Sequence, residues 1–304
     1  MQSIKDQKFL NPKTGRMVGY WNAKYMGIIP QEILDQEKGP KTVQLTREEM
    51  KVETVRVSDL KFDKRLFVPL STGNDNLDRF VSAEGGFMPA TNVIMTGSPG
   101  IGKSTVGMSM LSRMARQGKR TLFISGEMNR IDMYRYCRRF PEFGDLDTLF
   151  IGDYLNSSPK LAIEIAFDRG YDAVLIDSFA EVCLAVQDCE GWNGRKAESW
   201  FLDLMEKHNQ GENETNTFTC FLIIQQVTKS GDFVGSNRLK HMTSAMLQMF
   251  RDRDAGTNIM EFTKNRVGTA GEQLGFRIDH GSVNFAPISV SVAGLEDDEE
   301  GEEE

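Results

Sequence analysis

An apolar run at residues 92–95 leads directly into Gly97-Ser98-Pro99-Gly100-Ile101-Gly102-Lys103-Ser104, and Thr105 opens an amphipathic stretch that continues to about Arg116. The spacing satisfies G-x-x-x-x-G-K-[ST] without a mismatch, and each residue type answers a physical need. Glycines let the loop turn its backbone N–H groups inward around phosphate oxygens, in conformations that a Cβ obstructs. Lys103 has the reach to meet the outer phosphates, and the Ser104 hydroxyl is a suitable ligand for Mg²⁺. A helix beginning at Thr105 aims the positive end of its dipole at the anion. Strand, phosphate loop and helix in this order restrict the chain to an α/β fold that takes ATP with Mg²⁺, cradled by residues 97–105.

The remainder of the chain fits that restriction. From about Phe67 short apolar runs alternate with longer amphipathic segments, the pattern of a mostly parallel central sheet flanked by helices. Strands are expected at 92–96, 121–125, 149–151, 173–176 and 219–224, and runs at 259–263 and 275–279 suggest a C-terminal β-hairpin region. Ala197, Trp200, Phe201, Leu204, Met205 and His208 recur at the spacing of one buried helix stripe, with His208 as a packed or capping residue. Residues 1–65 are polar with isolated apolar positions and turn signals at Asn11-Pro12, Gly15 and Gly39-Pro40, and read as an N-terminal arm or linker. The ATPase core is expected over 66–290 and an acidic disordered tail over 291–304.

Magnesium bound to phosphate needs a second acidic anchor at the tip of a neighbouring buried strand, and Asp177 ends such a run. Hydrolysis also needs a group that orients the attacking water. Glu127, just past the 121–125 strand, is the first candidate, with Asp132 and Glu181 as the other carboxylates.

Charge needs a closer look than its total of −8 suggests. The last nine residues carry eight acids, and taking those from 44 leaves 36 acids against 36 bases, so the body is neutral. Clustered bases (Arg130, Arg135, Arg138 and Arg139; Lys229, Arg238 and Lys240) are then either solvated helix faces or part of a nucleic-acid groove. Trp192, beside Arg195 and Lys196, could stack on a base while its neighbours bind phosphate, or pack against the body. The acidic tail is a solubilising segment, an electrostatic competitor for such a groove, or a docking peptide for a protein partner. The four cysteines lack metal-ligand spacing, and neither a membrane-spanning run nor a secretory signal is present, so a cytoplasmic location is expected.

Several segments between about 70 and 285 resemble the RecA-fold ATPases, within them the bacterial RadA (Sms) recombination proteins and the DnaB-type replicative helicases. Leu70-Ser71-Thr72-Gly73, Asn76-Leu77-Asp78-Arg79 and Gly85-Gly86-Phe87 are similar to the opening segment of RadA proteins. The phosphate loop matches that family almost letter for letter. Ile124-Ser125-Gly126-Glu127 resembles its next strand end, and Glu127-Met128 equally resembles the helicases. Val227-Thr228-Lys229 with Gly231, Gly235, Leu239, His241 and Met242 resembles the RadA loop that faces DNA. Lys264-Asn265-Arg266 with Gly268, Glu272 and Gly275-Phe276 resembles a later RadA motif, with Val267 in place of its phenylalanine. Gln226 stands where RadA has histidine and the helicases have glutamine.

The resemblance implies that Gln226 senses the γ-phosphate, and that Lys264 and Arg266 reach the nucleotide of a neighbouring subunit, the arginine as a finger supplied in trans. It also implies a homo-oligomer, as a hexameric ring or filament. The four-cysteine module and protease-like domain of RadA, and the helical N-terminal domain of the helicases, have no counterpart here. The expected function is a Mg²⁺-dependent ATPase motor on single-stranded DNA in recombination or replication. Lys229, Arg238, Lys240, Arg195 and Trp192 are its candidate DNA contacts. A KaiC-type ATP-dependent protein switch, or a helicase loader, is the alternative.

Overall fold

The computed structural model describes residues 8–30, 33, 52–226, 237–252 and 256–288. Two compact units divide the chain at Lys61. In the first, strands β1 (Lys8–Leu10) and β2 (Met17–Gly19) pair antiparallel, and helix α1 (Tyr20–Tyr25) follows directly. The turn signals at Asn11 and Gly15 fall in the β1–β2 connection, where the Asn11 carbonyl accepts from the Gly15 N–H at 2.9 Å. Ala23 and Ile29 are buried there against Phe9, Val18, Ile28 and Ile33.

The second unit opens with helix α2 (Asp75–Val81), capped by the Asn74 side chain on the Leu77 N–H. A nine-stranded sheet follows. Its parallel part comprises β3 (Asn92–Gly97), β4 (Thr121–Ser125), β5 (Asp147–Phe150), β6 (Ala173–Asp177), β7 (Cys220–Ile224) and β8 (Ala245–Arg251). Strands β9 (Asn258–Asn265), β10 (Gln273–Asp279) and β11 (Ser282–Pro287) extend it antiparallel, in the order β11-β10-β9-β8-β3-β7-β6-β4-β5.

The connecting helices are α3 (Lys103–Arg116), α4 (Arg130–Arg139), α5 (Pro159–Asp168), α6 (Phe179–Glu190), α7 (Gly194–Asn209) and α8 (Asn237–Met242). Every residue of β3, β4, β6 and β7 is buried. That is why these strands read as continuous apolar runs: both sheet faces are covered. On one face α3 brings Val106, Met110 and Met114 onto Phe123 and Leu175; on the other Phe167, Phe179 and Phe201 pack on Ile176 and Phe221.

The mostly parallel sheet and its helical layers agree with the sequence reading, and three strands depart from it. β5 begins two residues earlier than expected and ends one earlier, at Phe150, because Ile151 starts a 3-10 turn. β8 was not anticipated: Ala-Met-Leu-Gln-Met-Phe-Arg holds no β-branched residue, the usual mark of a strand. The expected C-terminal hairpin is β9 with β10, and β11 continues the antiparallel ladder beyond it. The α7 stripe is as read, with His208 buried edge-on to Phe167 at 5.2 Å. Among the described residues no helix is long and apolar enough to cross a membrane.

The RadA-like opening segment has a structural explanation. The Asp78 carboxylate accepts from the Thr72 N–H at 2.9 Å and from the Thr72 and Ser71 hydroxyls at 2.6 Å each, which fastens the chain onto α2. Gly86 lets Phe87 pair with Leu70, since a Cβ there would sit 2.8 Å from the Leu70 carbonyl oxygen.

Candidate active site

Four strands end at one edge of the sheet, and the residues that follow them share a single cleft of ≈ 670 Å³. The phosphate loop leaves β3, Glu127 follows β4, Asp177 ends β6 and Gln226 follows β7; all line this cleft. The carboxyl ends of parallel strands are where open α/β sheets bind ligands. The loop's shape depends on glycine at two places. A Cβ on Gly97 (φ +153°) would meet the Met249 carbonyl oxygen at 2.5 Å. Gly102, left-handed at the N-cap of α3, lies directly against the Ile278 side chain.

The Lys103 ammonium donates to the Gly97 carbonyl at 2.7 Å and the Ser98 carbonyl at 3.2 Å. Burial lowers its pKa, opposed by the charges of Asp177 and Glu127. Ser104 donates to the Asp177 carboxylate. Burial, opposed by that hydrogen bond and by Lys103 and reinforced by Glu127, pushes the Asp177 carboxyl up to about 6. The Glu127 turn is built by Ser125, whose hydroxyl accepts from the Met128 N–H and donates to its carbonyl, and by the Gly126 N–H, which donates to the Asp177 carbonyl at 2.7 Å. Three charged side chains thus line one cleft with the Ser104 hydroxyl and the phosphate loop.

This donor set fits Mg²⁺. The ion is usually held by one or two protein oxygens plus substrate phosphates rather than by a complete protein cage. Ser104 and Asp177 supply such a pair, and among the described residues no cluster of three or more His, Cys, Asp or Glu could hold a metal alone.

Part of the chain is similar to known ATPases. The ATPase family profile named for KaiC matches residues 70–149, which hold the opening segment and the phosphate loop. The chain is 25% identical over 208 residues to the DNA repair protein RadA of Mycobacterium tuberculosis, covering 67% of this chain and 40% of that one. It is 27% identical over 274 residues to the DNA repair protein RadA of Streptococcus pyogenes, covering 87% and 57%. A crystal structure of a KaiC-like protein from Pyrococcus horikoshii superposes with a TM-score of 0.51 at 17% identity, over 71% of this chain and 98% of that one, and shows the fold. The chain carries a KaiC-like, RecA-fold ATPase domain. It spans 40 to 57% of the length of these RadA relatives.

Other residues singled out from sequence lie elsewhere in the ATPase domain. Lys264 pairs with Met246, which stands beside Ile94 in β3. That is three residues back from Gly97, or roughly 10 Å along the strand. The Lys264 ammonium donates to the Lys240 and Thr243 carbonyls at 3.1 and 2.7 Å, at the C-terminal end of α8. Arg266 is exposed, and neither residue lines this subunit's own cleft.

Arg238 bonds the Ser199 hydroxyl and the Asp203 carboxylate of α7, and Lys240 is exposed on α8. Trp192 lies in the short turn between α6 and α7. Trp192 packs edge-on to Trp200 at 6.3 Å, with the Lys196 ammonium 4.2 Å from its ring, and Arg195 is exposed in the first turn of α7. Lys229 and the acidic tail lie outside the described residues.

Six residues lining the cleft were not assigned to it from sequence: Tyr136 and Arg139 of α4, Ser178, Ile224 at the end of β7, Asn258 and Ile278. For Tyr136 and Arg139 a signal existed, their spacing of three on one helix face. For Asn258 and Ile278 none did, because the folding of the antiparallel strands brings them there.

Proposed function

We propose that this ATPase domain hydrolyses ATP with Mg²⁺ and works as an oligomer on single-stranded DNA. The observation that carries the reading is the convergence of Lys103, Ser104, Asp177 and Glu127 in the cleft at the end of β3. The loop amides and Lys103 bind and orient the phosphates. Mg²⁺, held by Ser104 and Asp177 together with phosphate oxygens, supplies neutralisation of the charge on the transferred group. Glu127 orients and takes a proton from the attacking water, and Gln226 reports the outer phosphate through its amide.

Lys264 and Arg266 act on the nucleotide of a neighbouring copy. Their place at the far end of β9, turned from their own cleft, supports that division. The DNA track is formed by Lys240, Arg238, Arg195, Trp192 and Lys229, in a chain whose relatives bear the name DNA repair protein.

ATP turnover measured with and without single-stranded DNA tests the reading. Wild type should be stimulated by DNA, and Lys103→Ala and Arg266→Ala should each lose activity by about 100-fold or more. Mixing the two variants should restore part of it, because an oligomer can pair an intact cleft with an intact finger. Turnover indifferent to DNA would instead favour a nucleotide-dependent protein switch, to which the KaiC-type match lends support. DNA-stimulated turnover without directional unwinding would favour a loader.

A further inference from the structure

Tyr136 and Arg139 of α4, Asn258 of β9 and Ile278 of β10 line the nucleotide cleft, yet none belongs to the phosphate loop or to the carboxylates beside it. The cleft, at ≈ 670 Å³, falls within the range of sites that enclose a drug-sized organic molecule, about 300 to 1,000 Å³. Two contacts place the four residues beside the phosphate loop. Ile278 lies directly against Gly102, the N-cap of α3. The turn after β10 comes back against the last residue of α4, since a Cβ on Gly281 would stand 3.3 Å from the Arg139 carbonyl oxygen. Tyr136 is one helical turn before Arg139 and shares its face. Asn258 pairs with Phe276 across β9 and β10, so it projects from the same sheet face as Phe276 and, two residues on, Ile278.

Their chemistry suits a flat ring with a polar edge. Tyr136 is half-buried and packs partly against the core. The Arg139 guanidinium lies over the Phe140 ring at 4.9 Å, and Phe140 is wholly buried and stacked on Phe143 at 5.0 Å. A rigid support thus holds a planar cation in the cleft wall, and nucleobases stack on aromatic rings and on guanidinium planes alike. Ile278 adds an apolar surface, and the Asn258 amide offers two donors and an acceptor. We infer that these residues form the nucleobase subsite: the base of the bound triphosphate stacks on Tyr136 and Arg139 with Ile278 and Asn258 at its edge, and a purine is favoured over the smaller pyrimidine. The inference rests on the ATPase reading and adds what the phosphate loop leaves open, since a loop that grips the triphosphate holds every nucleotide alike.

The test is calorimetric titration of the full chain, with Mg²⁺ present, by ATP, UTP and inorganic triphosphate. Wild type should bind ATP at least about fivefold more tightly than UTP, because the larger ring stacks over more area. Tyr136→Ala should weaken ATP by about tenfold and UTP by less, bringing the two together, while affinity for inorganic triphosphate stays within about twofold. Tyr136→Phe keeps the ring and should bind ATP within about twofold of wild type. Arg139→Ala should also weaken ATP and leave inorganic triphosphate unchanged.

An unchanged ATP affinity in Tyr136→Ala, or an ATP-to-UTP ratio that the substitution does not alter, overturns the inference. So does a parallel loss of ATP and inorganic triphosphate affinity in either alanine variant, which would mark a phosphate ligand or a damaged cleft. Binding of neither ATP nor inorganic triphosphate by wild type would remove the underlying ATPase reading, a result distinct from all of these.

Discussion

His208 offers a quantitative test of how the α7 stripe is packed. Its imidazole is buried at 1% exposure, edge-on to Phe167, and neither ring nitrogen has a hydrogen-bond partner among the described residues. Burial lowers its pKa from 6.5 to about 4; the Lys207 charge adds to the shift, and Asp168, 3.8 Å from Nε2, opposes it. The folded state therefore binds fewer protons than the unfolded chain wherever the pH lies between these values. Stability from this residue is present above pH 6.5 and is lost as pH falls toward 4. At pH 5 the unfolded imidazole is almost wholly protonated and the folded one hardly at all, which removes about 2 kcal/mol relative to pH 7.5.

The assay is urea unfolding of wild type and His208→Leu at pH 7.5 and 5.0, at one protein concentration. Every other titrating group is shared, so the drop in wild type should exceed the drop in the variant by about 2 kcal/mol. At pH 7.5 the variant should lie within about 1.5 kcal/mol of wild type, because leucine fills similar space and removes two unpaired nitrogens. Equal losses in both proteins between the two pH values would refute a neutral, desolvated His208.

Asp78→Ala should destabilise the core by about 3 kcal/mol, because it strips the acceptor from three donors and leaves the buried Thr72 N–H unpaired; at this chain length that is a fall in melting temperature of roughly 6 to 12 °C. Gly97→Ala should weaken binding of a fluorescent ATP analogue by at least about tenfold, since the added Cβ collides with the Met249 carbonyl at a φ that alanine avoids; unchanged affinity would mean that the loop relaxes at no expense. Lys240→Ala should reduce the slope of log affinity against log salt for single-stranded DNA by about 0.7, the value for one phosphate contact. Arg238→Ala should change that slope less, because Asp203 and Ser199 already engage the guanidinium, and an equal change would show that Arg238 leaves α7 to meet DNA.

What could be read from the sequence is what neighbouring residues determine among themselves. The phosphate loop needs its glycines, lysine and serine at fixed spacing, because one turn of backbone must enclose a phosphate, and that geometry is written within nine consecutive positions. Asp177 was legible because a buried parallel strand must be apolar throughout and then stop. Its neighbour Ser178 behaves otherwise than its place suggests: serine before a helix ordinarily reads as a cap, and here its hydroxyl makes no cap bond.

Ile278 shows the same limit from the other side. It comes from β10, far along the chain, yet it rests against Gly102 at the start of α3 and lines the cleft. The sequence motif marks Gly102 as a phosphate-loop glycine, and the structure adds a second demand, room for Ile278. The antiparallel strands thus form one wall of the nucleotide cleft, and β9 within them also carries Lys264 at the opposite end, Asn258 being the end that reaches this subunit's own cleft. A single strand thus lines this subunit's cleft at one end and at the other holds the Lys264 ammonium on the carbonyls that close α8.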